Sequence, residues 1–219
     1  MIIDMHVHTK VSLDSPATVE DYCRVIKRFR RYHPFHGIVL TEHRVYHHDE
    51  KYKRIAEKYD ILIFQGIEVD TNLGHMLLYG ITNEFLRRID ISNRRIETST
   101  IIQAINDSGG IAVPAHPFRE SAIGVALEEK REEIQGISVI EELNGVNDRS
   151  QNEKASRLVF NNGLYGMAGS DAHFSNSHWF LTCATEFYNP IHTVEDLIGE
   201  LKKGAFRPIV LDSSVMGKF

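Results

Sequence analysis

The chain has 219 residues, 42% of them hydrophobic, enough to bury one substantial core, and residues 1–219 are expected to form a single α/β domain. A formal net charge of -5 excludes a broad, sequence-independent grip on nucleic acid, which would need a net basic face. Cys23 and Cys183 lack any paired spacing, which excludes a disulfide framework, and no apolar run is long enough to span a bilayer; a cytoplasmic protein without a membrane partner is the expectation.

The first apolar run, "MIID", opens a strand that continues into "MHVH". Alternation along it puts Asp4, His6 and His8 on one face and Ile3, Met5 and Val7 on the other. Next, Val19, Tyr22, Cys23, Ile26 and Phe29 make one face of a helix, while Arg24, Lys27, Arg28 and Arg31 fill its solvated side. The runs "GIVLT", "ILIFQGIEV", "IAVPAH", "GISVIEEL", "LYGMAG", "CATEF" and "RPIVL" each read as a buried strand. Between them, "TSTIIQAINDSGG" reads as a helix stopped by its glycine pair, and "HTVEDLIGELKKG" as one capped by Thr193 and ended by Gly204. Strand and helix alternate with no linker or repeat, a pattern that predicts a parallel sheet covered by helices and closed as a barrel.

Ligand-type side chains fall where those strands end. "DMHVH" ends the first, "TEH" with His43 the second, "GIE" with Glu68 the third and "AHP" with His116 a later one; "EELN" and "GSDAH", with Asp171 and His173, follow. In a parallel α/β barrel these ends open on one face, where active sites are built. Imidazole and carboxylate without thiolate suit Zn, Mn or Fe. His33, His36, His47, His48, His178 and His192 have no such placement and are read as ordinary surface or core residues.

With "DMHVHT", "SLDS", "TEH", "GIE", "GHMLLYG", "AHP" and "GSDAH" in this order, the sequence resembles the PHP (polymerase and histidinol phosphatase) superfamily of metal-dependent phosphoesterases from residue 2 to about residue 175. The resemblance implies a distorted (β/α)7 TIM-like barrel with a site for two to three divalent ions (Zn, Mn or Fe) at the C-terminal ends of the strands. Carried over by motif, His6, His8 and Asp171 hold one ion with a bridging Glu68. Glu68, His75 and His116 serve the second, and Asp14, His43 and His173 the third. Glu68, Asp171 and His173 are the expected catalytic residues, with Asp4 and Glu42 orienting ligands from behind. The family pattern has Asp where this chain has Glu42, which bears on how His43 is held. Only 40 residues lie between His75 and His116, too few for a large inserted subdomain, so an open mouth is expected.

Three ligand carboxylates leave three divalent ions with an excess of positive charge, which attracts phosphate, and two or more ions can generate a bridging hydroxide as nucleophile. No protein nucleophile motif accompanies them. Hydrolysis of a phosphate ester, a phosphomonoester before a diester, is therefore the expected reaction. The expected partner is a small phosphorylated substrate or a nucleotide or oligonucleotide end, and an oligomer is left open. Arg119, just after "AHPF", is the candidate phosphate clamp, against a rim salt bridge to Glu120 or a neighbour. Two alternatives stand beside this: an amidohydrolase-type metal-dependent hydrolase of a non-phosphate substrate, and a non-catalytic metal-binding regulatory domain.

Overall fold

The computed structural model describes residues 1–119, 121–129 and 134–211. In chain order they form β1 (Ile2–Val7), α1 (Val19–Phe29), β2 (Gly37–Leu40), α2 (Lys51–Tyr59), β3 (Leu62–Asp70), β4 (His75–Tyr79), α3 (Asn83–Arg88), α4 (Thr98–Asp107) and β5 (Ile111–Pro114). There follow α5 (Ile123–Glu129), β6 (Val139–Asn144), α6 (Arg149–Asn162), β7 (Tyr165–Gly169), β8 (Cys183–Phe187), α7 (Val194–Lys203) and β9 (Phe206–Val210).

Seven strands make one curled sheet in the order β5-β4-β3-β2-β1-β8-β9, and β6 and β7 pair beside it. Strands β1, β2 and β3 are parallel, as are β6 and β7, while β4 and β8 run antiparallel to their neighbours. The β6–β7 pair docks against β1 through the backbone just beyond β7: Asp171 N donates to His6 O and His8 N to Ala172 O, at 2.8 and 3.0 Å. Thr185 of β8 brackets Ala168 of β7, accepting from its N and donating to its O.

Three apolar clusters hold this arrangement. Ile3, Met5, Val39, Leu77, Tyr79, Val113 and Met167 pack together with α7. Ile38 and Leu40 of β2 pack against α1 and α2, and Ile67, Val69, Met76 and Leu78 pack against α4, α5 and α6. The buried face of α1 is the one its spacing predicts: Val19, Tyr22, Cys23, Ile26 and Phe29. Helix ends follow local chemistry as well. Thr193 caps α7 in a reciprocal pair with Asp196, and Gly204, at φ 68°, ends it.

The α/β character agrees with the sequence, but where a parallel sheet closed as a (β/α)7 barrel is predicted, the strands form a mixed, curled half-barrel with β6 and β7 as a separate pair. "HMLLY" forms β4, a strand the apolar-run reading passes over. The turn from Thr71 to Gly74 is too short to cross over for parallel pairing, so β4 returns as a hairpin with Asp70 opposite His75. His75 thus reaches the rim from the start of an antiparallel strand. Alternation along β1 is also broken. Its register against β2 shifts between Asp4 and Val7, and Val7 packs with Ile2 and α1 instead of with Ile3 and Met5. Such a bulge re-aims side chains, and it separates the environment of Asp4 from that of His6 and His8.

Gly169, the last residue of β7, lies against β1, where an added Cβ would stand 2.4 Å from His6 Cβ and 2.7 Å from His6 N. Gly169→Ala therefore forces the two strands apart at a metal-ligand position. Urea denaturation of the variant should show a lower midpoint at unchanged m-value, a loss of about 1–3 kcal/mol.

Candidate metal centre

Glu68, fully buried on β3, divides its carboxylate between two sets of imidazoles. Oε2 lies 3.2 Å from Nε2 of both His6 and His8, and Oε1 lies 2.8 Å from His75 Nδ1 and 3.1 Å from His116 Nε2. Asp171 Oδ1 closes the first set at 3.4 and 3.3 Å from the same two Nε2 atoms. At the outer edge, Asp14 Oδ2 is 3.2 Å from His43 Nε2 and 3.4 Å from His173 Nε2, and the ring of His8 stacks on both of these histidines. Three groups of donors result: His6, His8, Glu68 and Asp171; Glu68, His75 and His116; and His8, His43 and His173. The structure thus brings together every metal-ligand position expected from the sequence. It adds His8 to the third set, where Asp14 is the half-exposed outer member.

Partners behind the rings fix which nitrogen faces inward. His6 Nδ1 donates to Glu141 Oε1 at 2.9 Å, and His173 Nδ1 donates to Asp171 O at 3.0 Å. Ser12 Oγ donates to Glu42 Oε2, so it can only accept from His8 Nδ1, at 3.2 Å, and from His43 N, at 3.0 Å. These networks place a proton on Nδ1 and turn Nε2 of all three histidines toward the centre. Glu42 also accepts from Thr9, so its carboxylate acts on His8 through Ser12 and on His43 only through the backbone. Asp4 touches no imidazole. It accepts from His6 N and Ser170 N, and its Oδ2 is buried without a partner.

The charges are tightly interlocked. Burial raises Glu68 and Asp171, but the positive imidazoles, His6 first, outweigh it and hold both carboxyls well below their ordinary range. Conversely, burial opposes charge on His6, yet Asp171, Glu141 and Glu68 keep it well above its usual value, and His8 is raised to about 9 by its bonds to Asp171 and Glu68 in spite of burial. His43 goes the other way: burial, helped by charge on His8, pushes it down to about 4 despite Glu68. Its Nδ1 has no hydrogen-bond partner although Glu68 Oε2 is 3.1 Å away, a contact that a shared cation would satisfy. Divalent ions suit the same imidazole and carboxylate donors.

The backbone is bent to serve this rim. His116 and Asp171 have φ of 29° and 55°, and Leu13 and Arg44, next to Asp14 and His43, have 68° and 55°. Left-handed conformations at such residues are strained and persist only where the surroundings enforce them. Arg119 donates to Asn144 Oδ1 at 3.1 Å and to Asp171 Oδ2, so its ion pair is with a ligand carboxylate; Glu120 lies outside the described residues. Together with His75 and His116, Arg119 lines a cleft of about 700 Å³.

Glu141, Asn144, Ser12 and Asp70 are absent from the sequence-based set. Glu141 accepts from His6 Nδ1, His116 N and Asn144 Nδ2, and Asp70 Oδ1 is 3.5 Å from His75 Nε2. The signal for Glu141 was "EELN" at a strand end, but two adjacent glutamates gave no way to choose between them before the bulge between Glu141 and Leu143 was known. The remaining histidines stay out of the centre: His36, for instance, accepts from Ile2 N at the start of β1, and His178 packs on Trp179.

A curled α/β sheet carrying these ligand groups on one rim defines a metal-dependent hydrolase. Residues 4–163 match the PHP domain and residues 149–206 the PHP-associated family, and the chain belongs to the PHP domain family. Among solved structures it is similar to PsfC from Pseudomonas syringae PB-5123, at 16% identity and a TM-score of 0.69, with 99% of this chain and 94% of that one covered. A protein from Bifidobacterium adolescentis assigned as a metal-dependent phosphoesterase aligns at 18% identity and a TM-score of 0.58, over 78% of this chain and 87% of that one. Endonuclease Q, in complex with a 27-mer duplex substrate bearing an abasic lesion, aligns at 14% identity and 0.61, over 94% of this chain and 58% of its own. No curated protein matches the sequence.

Two variants probe the groups behind the ligands. Glu141→Gln removes the negative charge that His6 Nδ1 donates to, and competition with a chromophoric chelator should show metal affinity falling about 10–100-fold. Burial raises the Asp4 carboxyl from 3.8 to about 7, against its bonds from Ser170 and His6. The folded state then holds this proton more tightly than the unfolded one, so Asp4 weakens folding progressively from about pH 4 to pH 7. Asp4→Asn keeps an acceptor and no charge. In chelator-treated protein it should be more stable than the parent at pH 8 by about 1–3 kcal/mol, an advantage that disappears near pH 4.

Proposed function

We propose that the protein is a phosphoesterase that hydrolyses phosphate esters, monoesters in preference to diesters, using two to three bound Zn, Mn or Fe ions. The observation that carries this reading is the division of Glu68, with one oxygen beside the His6–His8 pair and the other beside the His75–His116 pair, so that this one carboxylate would serve two groups of cation ligands. Bound ions supply Lewis acidity toward phosphoryl oxygens and make water acidic enough to serve as nucleophile. Neighbours named as a phosphoesterase, an amidohydrolase and an endonuclease support a metal-dependent hydrolase, and Arg119 beside the ligand carboxylate Asp171 favours a phosphate ester among its substrates.

The chain's own residues have distinct parts in this reaction. Glu68 and Asp171 supply fixed negative charge and, with the histidines around them, would hold the cations. Arg119 uses two N–H groups on Asp171 and Asn144, and its remaining donors are available to phosphate oxygens entering the cleft, the bidentate geometry in which guanidinium excels. It therefore both clamps phosphate and holds a ligand carboxylate. His173, anchored through Nδ1, presents Nε2 at the open edge beside Asp14. In this reading residues 1–219 work as one domain in the cytoplasm, and the substrate is a small phosphorylated compound or the end of a nucleotide chain.

Substrate turnover tests it directly. Mn-supplemented protein should hydrolyse p-nitrophenyl phosphate faster than its bis-ester and leave amides and lactones intact. His8→Ala and Asp171→Ala should each reduce turnover to the metal-free background. Equal activity in the doubly substituted protein, or turnover confined to amides and lactones, would overturn the assignment.

A further inference from the structure

The cleft lined by His75, His116 and Arg119 is lined also by Arg94, from the segment between α3 and α4. This segment is tied to the β3–β4 turn: Ile96 is buried and bridges Thr71, and Asn72 N donates to Ile96 O at 3.0 Å. Within the loop, Arg95 N donates to Asn93 Oδ1 and Ser92 N to Asp90 Oδ1, which fixes the backbone on either side of Arg94. The arginine is thereby held over the same cavity as the metal-ligand histidines.

The cavity's other charges are matched. Asp70 is paired with Arg44 and lies near His75, and Arg119 is paired with Asp171. Among the described residues no carboxylate stands within ion-pairing distance of the exposed guanidinium of Arg94, which is the one unmatched fixed cation lining the cleft. A volume of about 700 Å³ is more than a single phosphate fills and is in the range of pockets that enclose small organic ligands.

We infer that Arg94 forms a second anion subsite, so that the preferred substrates are phosphate esters carrying a further phosphate or carboxylate at the end remote from the scissile group. The inference rests on the phosphoesterase reading and adds the substrate class to it. Arg94 is a specificity determinant: it holds the remote anion and takes no part in the bond that breaks. A guanidinium fits either acid, and the two are distinguished by probe.

The test is equilibrium binding to the Mn-loaded full chain by calorimetry, with non-hydrolysable probes. These are α,ω-alkane bisphosphonates of increasing length, the matching ω-carboxy-phosphonates, and simple alkyl phosphonates of the same length. At one chain length a doubly anionic probe should bind about tenfold or more tightly than its singly anionic counterpart. Arg94→Ala should erase that advantage and Arg94→Glu should reverse it. Arg95→Ala, altering a neighbouring exposed arginine off the cavity, should preserve it. Binding of alkyl phosphonates with no advantage for a second anion, or an advantage that survives Arg94→Ala, would overturn the subsite alone. Failure of every phosphonate to bind would overturn the phosphoesterase reading together with it.

Discussion

Everything at this rim depends on keeping the carboxylate of Glu68 ionised although its side chain is fully buried. A buried carboxylate is tolerable only when paired and hydrogen-bonded, and Glu68 has the imidazoles of His6, His8, His43, His75 and His116 within 3.2 Å to meet that demand. Divalent cations, which take the same imidazole and carboxylate donors, would meet that demand as well. The site is in this sense a cage of interlocked carboxylates and imidazoles.

Holding such a cage requires the fold to bring side chains from many strands to one point, and ordinary repeats of strand and helix do not suffice. The β3–β4 hairpin brings His75 to Glu68 from the opposite direction. Register shifts in β1 and β6 place His6 and Glu141 side by side, and left-handed backbone at His116 and Asp171 turns their side chains inward. The strain in these conformations is offset by the apolar clusters on both faces of the sheet. Flexible loops could not hold the donors within such short distances of each other.

Behind the ligands stands a second set of contacts that decides which atom of each ring is offered. Glu141 acts on His6, Ser12 passes the influence of Glu42 to His8, and the carbonyl of Asp171 holds His173. Arg119 joins this set to the cleft, since the guanidinium that faces incoming phosphate also holds Asp171. Substrate charge and ligand charge are thereby coupled through one side chain.

His6, His8, His43, Glu68, His116, Asp171 and His173 stood out in the sequence because their short strings fall at strand ends, which in this class of fold share one face, whereas Asp14 and His75 were offered only by resemblance to the family's motifs. The inner face of α1 and the ends of α7 were legible too, since helical spacing and capping act over a few residues. The groups that support the ligands were not. Glu141 lies 135 residues from His6, and nothing local distinguishes it from Glu142. The β4 hairpin, the bulge in β1 and the role of Arg119 toward Asp171 likewise depend on which strands become neighbours. The sequence by itself determined the chemistry of the donors and the alternation of elements, because these are set by residue type and local period. Only the tertiary structure decided how many imidazoles one carboxylate serves and which nitrogen each presents, because those follow from contacts between residues far apart in the chain.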